Sequence, residues 1–431
     1  MQKIGHLIKS ERTKQGWKQI NLAKGICTAS YLSKIESNSI KPSQEILELL
    51  LNRLGVSVED GFLEEGSSEQ DVLKKFKEMY FEVTANRNQA VLKKNKSFVF
   101  EKTYFFSREN DFYTYQLILF RLCLSSEEQN SMESIIKDLE SGYSTFNDYQ
   151  KYYFYKYMGI FYYQSQNTIK AIDDLEKSLH LLKRLVLEDW EIADFHYILG
   201  LVYLSNSQLM SSIEYITKAL EFYKNGFYFN RLIDTYISMG IAYKRARRFE
   251  EALETFNLAE KVVNAVNLSN YKGILLQNMG ALYSSKGESS KAINYFSMSL
   301  DKKEDIKGKI ISLFSLINEY SKQTDSKQVV ELCEKATALM DGDKTAFVEN
   351  YSKKIEVYKC LHSNDPAFEE TCIYAIDYFA AVSDLKSVNK FSLLLADYFY
   401  EEKKYKQAAN YYRKSTDAIK NIMDIDFWED L

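Results

Sequence analysis

Proline is almost missing from this chain: Pro42 and Pro366 are the only two in 431 residues, and glycine is scarce at sixteen. A backbone so seldom broken, in a sequence rich in Ala, Leu, Ile, Lys, Glu and Tyr, reads as long helices joined by short loops, so an all-α protein is expected. The five cysteines (Cys27, Cys123, Cys333, Cys360, Cys372) lie far apart, form no C-x-x-C and are odd in number. That pattern argues against a disulfide framework and fits reduced, mostly buried thiols. No stretch approaches ~20 uncharged apolar residues, and Met1 to His6 open no export segment, so a cytoplasmic protein with no membrane span is expected. Catalytic signatures are also missing. There is no P-loop, no G-x-S-x-G and no G-x-G-x-x-G, and His6, His180, His196 and His362 have no second histidine at i+3 or i+4. Neither enzyme activity, metal nor cofactor is expected, and what is left is a binding protein.

The net charge of −4 would by itself argue against nucleic acid, but its distribution reverses that reading. Residues 1–42 carry eight Lys/Arg against Glu11 and Glu36, a local +6 that leaves −10 on the remainder. A small basic head precedes a large acidic body. Within the head, "IGHLIKSERTKQ" places Ile4, Leu7 and Ile8 at helical spacing and ends at Gly16; "KQINLAK" stops at Gly25. Thr28 is placed to cap "ASYLSKIES", and Pro42-Ser43 open "PSQEILELLLNRLGV". The acidic, Gly/Ser-containing stretch "EDGFLEEGSSEQD" marks a boundary, giving an expected head at 1–65, a linker at 66–71 and a second domain at 72–431.

The second domain is self-similar. "YKYMGIFYYQSQNTIKAIDDLEKSL", "HYILGLVYLSNSQLMSSIEYITKAL", "YISMGIAYKRARRFEEALETFNLAE" and "LLQNMGALYSSKGESSKAINYFSMSL" share an apolar-Gly-x-x-Tyr core, a turn and a small residue. Their glycines, Gly159, Gly200, Gly240 and Gly280, are 41, 40 and 40 residues apart. Weaker copies follow at Tyr320, Tyr358 and Phe399, whereas 72–150 is helical in pattern without aligning. The pattern resembles the tetratricopeptide repeat, in which a small residue lets two antiparallel helices approach and a tyrosine fills the hole. The resemblance implies a right-handed superhelical solenoid with a concave, peptide-binding wall.

"GWKQINLAKGICTASYLSKIESN" resembles the helix-turn-helix of the phage-repressor class in Gln19, Leu22, Ala23, Leu32, Ile35 and Glu36. Leu22, Ala23, Leu32 and Ile35 would lock the helices. Thr28, Ala29, Ser30 and Lys34 would face the major groove, and Gln19 would contact phosphate and brace the recognition helix. Arg12 and Glu36 match positions paired as a structural ion bridge. Small residues at the reading face hold few base contacts, so a homodimer on a two-fold site of promoter DNA is expected. The turn between Ala23 and Tyr31 is one residue shorter than the commonest repressor pattern. With "SYLSKIE" and ~40-residue repeats, it makes the whole chain similar to the PlcR- and NprR-type regulators of the RRNPP family, leaning to NprR.

That resemblance implies a quorum-sensing transcription regulator controlled by a short imported peptide, with a higher oligomer in the peptide-bound state left open. Two alternatives stay beside it: a Rap-like protein that binds a sporulation response regulator and promotes its dephosphorylation, through 72–150 around Gln116 or Arg121, and a phage lysis-lysogeny receptor. Taking each repeat glycine as position eight of its helix, positions two, five, nine and twelve face the concave wall. These give Tyr153, Lys156 and Tyr163; Asp194 and Tyr197; Asp234 and Lys244; Gln277 and Ser284. Asn278 resembles the family's peptide-backbone clamp, with Asn318 expected to take the same role in the following repeat, since an amide can donate and accept at once.

Overall fold

The computed structural model describes residues 4–37, 39, 40, 42–55, 68–102, 104, 106, 108–126 and 132–423, and among these every regular element is a helix. Residues 66 and 67 of the expected linker, and Lys3 and Lys41 of the basic head, lie outside the described residues. Two compact units make up the chain, Met1–Val202 with Glu221–Arg231, and Tyr203–Leu220 with Leu232–Leu431.

The first unit opens with α1 (Ile4–Lys14), α2 (Gln19–Ala23), α3 (Ala29–Glu36) and α4 (Gln44–Arg53). Ile8, Leu22, Ala23, Leu32, Ile35 and Leu50 are central to a small core of their own. The local signals act where they were read. Thr28 Oγ1 accepts the Tyr31 N–H at 3.1 Å at the start of α3, and Ser43 Oγ accepts that of Ile46 at the start of α4. Gly16 and Gly25 hold φ of 69° and 76° just past α1 and α2, the left-handed conformation that ends a helix at low steric cost.

Then come α5 (Glu69–Thr84), α6 (Ala90–Lys94), a π-helical turn at Ser97–Glu101, α7 (Glu109–Cys123), α8 (Met132–Gly142), α9 (Asp148–Gln164) and α10 (Thr168–Leu182). The unaligned 72–150 region is thus helical, held by an aromatic knot in which Tyr115 and Tyr104 meet the Phe76 ring edge-on at 5.0 and 5.7 Å. α11 (Asp189–Ser205), α12 (Leu209–Asn225) and α13 (Phe229–Arg245) contribute residues to both units. The second unit continues with α14 (Phe249–Ala265), α15 (Lys272–Ser285), α16 (Ser289–Lys302), α17 (Ile306–Lys322), α18 (Ser326–Met340), α19 (Ala346–His362), α20 (Phe368–Ala381), α21 (Leu385–Glu401) and α22 (Tyr405–Met423).

In the first unit α9 packs on α10, and in the second α15 packs on α16, α17 on α18, α19 on α20 and α21 on α22, the antiparallel pairs of a repeat solenoid. The repeat glycines are close-approach residues: a Cβ on Gly159 would sit 2.6 Å from Leu175 Cγ, and one on Gly280 2.6 Å from the Phe296 ring, each on the second helix of its own pair. The turn inside each pair carries one residue at positive φ: Gln166, Ser207, Arg247, Gly287, Thr324, Asn364 and Lys403. Their spacing, 41, 40, 40, 37, 40 and 39, extends the register through the three weak copies. It also shortens the fifth repeat by one helical turn.

Candidate DNA-reading and peptide-binding surfaces

In the head, a single buried carboxylate sets the helix angles. Glu36, 2% exposed at the end of α3, takes a bidentate pair from Arg12 of α1, Nε to Oε1 at 2.6 Å and Nη2 to Oε2 at 2.9 Å. Gln19 of α2 donates its Nε2 to the same Oε2 at 2.7 Å, and Arg12 Nη1 also donates to the Trp17 carbonyl at 2.7 Å. Three helices therefore meet on one carboxylate. Gln19 braces the recognition helix; its amide nitrogen is directed at Glu36. Arg53 of α4 donates to the Leu22 carbonyl at 3.1 Å and to that of Lys24, closing the C-terminal end of α2.

On the outer side of α3, Thr28, Ser30 and Lys34 are exposed and Ala29 is half-exposed. Ser33 is exposed as well, one turn beyond Ser30, and belongs to that face. The i+3 spacing was the signal that could have found it.

In the first unit, the expected wall residues do not form an open surface. Asp194 is 0% exposed, ion-paired to Lys156 Nζ at 2.9 Å and to Arg231 Nη2. Arg231 Nε donates to the Thr84 carbonyl at 2.7 Å, and the Arg231 guanidinium lies over the rings of Tyr197 and Tyr223 at 5.3 and 5.7 Å. Burial opposes ionisation of Asp194, but Lys156, Arg231 and Arg121 outweigh it and hold its carboxyl well below the usual carboxylate range. Asp194 and Tyr197 thus sit inside the wall, within a buried charge cluster joining α5, α9, α11 and α13, where a ligand does not reach them in this conformation. Sequence reasoning missed Arg231, whose position in the repeat carries no distinguishing signal. Tyr163 is half-buried near the end of α9. Arg121 is buried with Nη1 on Ser125, so it is not presented as a partner-contact residue, and Gln116 is half-buried with its side-chain oxygen turned inward.

The second unit carries the remaining expected wall residues. Asp234 and Lys244 of α13 are half-buried. Burial, with Arg245 beside it, lowers the Lys244 ammonium to about 8. Gln277 is occupied: its Oε1 accepts from Ser312 at 2.8 Å and Lys303 at 3.0 Å, and its Nε2 donates to Ser315 at 2.8 Å, so it ties α15 to α17. Ser284 likewise donates to Glu319 at 2.5 Å. Asn278 donates Nδ2 to its own helix at the Ile274 carbonyl, 2.9 Å, which leaves its amide oxygen as the group to meet a ligand.

Asn318 differs from its expected equivalence. The fifth repeat is 37 residues long, so the counterpart of Asn278 is Ser315, and Asn318 lies about one turn further along α17. It donates to the Phe314 carbonyl at 2.8 Å and accepts Lys390 Nζ of α21 at 2.5 Å. Lys390 had a legible signal: counting from Ala396, three residues before Phe399, it stands at position two, a wall position.

Comparison with known proteins fits this layout of head and repeats. Residues 8–60 match the helix-turn-helix family model. The transcriptional activator NprA of Geobacillus stearothermophilus is 29% identical over 413 residues, covering 94% of this chain and all of that protein. Among solved structures, a Rap protein complexed with competence and sporulation factor superposes with a TM-score of 0.67 at 18% identity, over 83% of this chain and 99% of that one. NprR in complex with its cognate peptide NprX does so with 0.61 at 16%, over 82% and 99%. The fold is that of a helix-turn-helix head followed by a tetratricopeptide-like solenoid. Over nearly its whole length the chain is thus similar to a transcriptional activator, and its residues 8–60 carry the helix-turn-helix.

Proposed function

We propose that this protein is a cytoplasmic transcription regulator that binds promoter DNA through residues 1–65, as a homodimer, and is controlled by a short signalling peptide bound by the repeats of residues 72–431. The observation that carries the reading is the head itself. Arg12, Gln19 and Glu36 fix α3 at one angle while Thr28, which also caps the helix, Ala29, Ser30, Ser33 and Lys34 face outward, away from the head's own core. The +6 of residues 1–42 supplies the phosphate attraction on which such binding rests. In the second unit, Asp234, Lys244, Asn278 and Asn318 are the residues assigned to the peptide, with the free amide oxygen of Asn278 suited to an extended backbone N–H. The role is binding, with no catalytic step. For a peptide to control the head it must favour one arrangement of the dimer over another.

The test uses the full chain. Genomic DNA fragments retained by the protein are sequenced and footprinted, and the peptides encoded beside its gene are titrated into the complex. Protection of a two-fold site, altered by one peptide, supports the reading. Absence of any protected site would refute it, and retention of a response regulator in its place would favour the Rap-like alternative.

A further inference from the structure

α21 carries two lysines one turn apart, Lys386 and Lys390, on one face. Like charges at that spacing repel, and no carboxylate is within ion-pair distance of either among the described residues. The nearby acids are engaged elsewhere. Asp384 is held by Lys354 at 3.2 Å, Asn350 at 3.2 Å and Ser387 at 2.7 Å. Glu319 is held by Lys322 at 2.6 Å and Ser284 at 2.5 Å. Arg245 of α13 adds a further cation acting on Lys386, which is exposed to water and yet has its ammonium lowered by desolvation and by Arg245 against Asp384.

Lys390 is fixed. Its Nζ lies 4.9, 5.3 and 5.9 Å from the ring centres of Phe314, Tyr358 and Phe391, and among the described residues it donates its one hydrogen bond to Asn318 Oδ1. Burial, with Lys354 and Lys322 adding to it against Glu319, lowers this ammonium to about 8. A half-buried cation resting on a neutral amide is under-compensated, and a carboxylate is the stronger acceptor.

On the reading that the repeats receive a peptide, we propose that the peptide presents a carboxylate to Lys390 and Lys386 of α21, and that Lys390, in turning to it, releases the Asn318 amide oxygen to accept a peptide N–H. The anionic group and the backbone are then recognised together, because the first contact frees the acceptor for the second. The carboxylate is supplied by the peptide's C-terminus or by an Asp or Glu side chain.

The probe is a mixed heptapeptide library made both as free acids and as C-terminal amides, incubated with the full chain. Retained peptides are identified by mass, and the strongest is measured by calorimetry against the wild-type, Lys390→Met and Lys386→Met chains. Neutralising the peptide group should weaken binding about ten- to a hundredfold, the effect of losing a charge-assisted hydrogen bond. The two variants should cost the acidic peptide a similar factor and the neutralised peptide little. Lys386→Glu should prefer a peptide carrying Lys in place of the acid. Loss on C-terminal amidation assigns the terminus; loss on Asp→Asn or Glu→Gln in the peptide assigns the side chain. Binding without preference for an acid, or equal loss of acidic and neutral peptides in both variants, overturns this inference alone. No retained peptide of either form overturns it together with the receptor reading.

Discussion

Replacing Asp194 by Asn removes the anion from a cluster in which Asp194 and Lys156 are 0% exposed and Arg231 is 2% exposed. Lys156 Nζ would keep only the Tyr152 ring, 5.9 Å away, and Arg231 would keep the Thr84 carbonyl and two rings. Lys156 and Arg231 would then face each other with the Asp194 anion gone. Leaving such a charge uncompensated costs about 3–5 kcal/mol. The loss should appear in urea unfolding of the full chain, with hydrogen exchange accelerated first in α9 and α11. Lys156→Met should cost less, because Asp194 keeps Arg231, and adding Lys156→Met to Asp194→Asn should restore some of the loss. The carboxyl is held below its ordinary value in the fold, so its contribution is complete at neutral pH and is lost as pH falls below about 4, where the unfolded chain takes up the proton first. Asp194→Asn should flatten stability over that acid range. A loss under about 1 kcal/mol, or an unchanged acid limb, would refute the view that this cluster holds α5 to the repeats.

Ser30→Ala with Lys34→Ala should weaken promoter binding about tenfold and lower its salt dependence by about one counterion, read by anisotropy across a salt series. Gly280→Ala places a methyl 2.6 Å from the Phe296 ring and should cost about 1–3 kcal/mol in denaturant unfolding. Thr324, β-branched, exposed and at φ 57°, should gain about 0.5–1 kcal/mol on Thr324→Gly, and a loss of stability there would contradict the turn geometry.

The head was legible almost residue by residue, because its signals are local: Thr28 caps α3, Gly16 and Gly25 end helices, and Leu22, Leu32 and Ile35 pack at helical spacing. The repeats were legible wherever a glycine marked the register. At Ile317 and Ala396 a larger and a different small residue stand where the repeat glycine would be, and counting by forty misplaced Asn318 by about a turn. The turn residues that restore the count were invisible in sequence. Only Gly287 of the seven declares a left-handed conformation, while Gln166, Ser207, Arg247, Thr324, Asn364 and Lys403 adopt it because the next helix packs back.

The sequence by itself determined an all-α chain with a basic head, a helix-turn-helix and stacked helical pairs, because helix periodicity, caps and glycine spacing act over a few residues. Which polar side chains are committed was decided only in three dimensions. Asp194 and Gln277 satisfy the same wall-facing count as Lys244, yet Asp194 is enclosed by Lys156 and Arg231, and Gln277 by Lys303, Ser312 and Ser315. Arg231 reaches Thr84 across 147 positions, and Lys390 reaches Asn318 across 72. A spacing rule places a side chain on a face, but the electrostatic partner that occupies it comes from another helix, and burial makes that pairing obligatory.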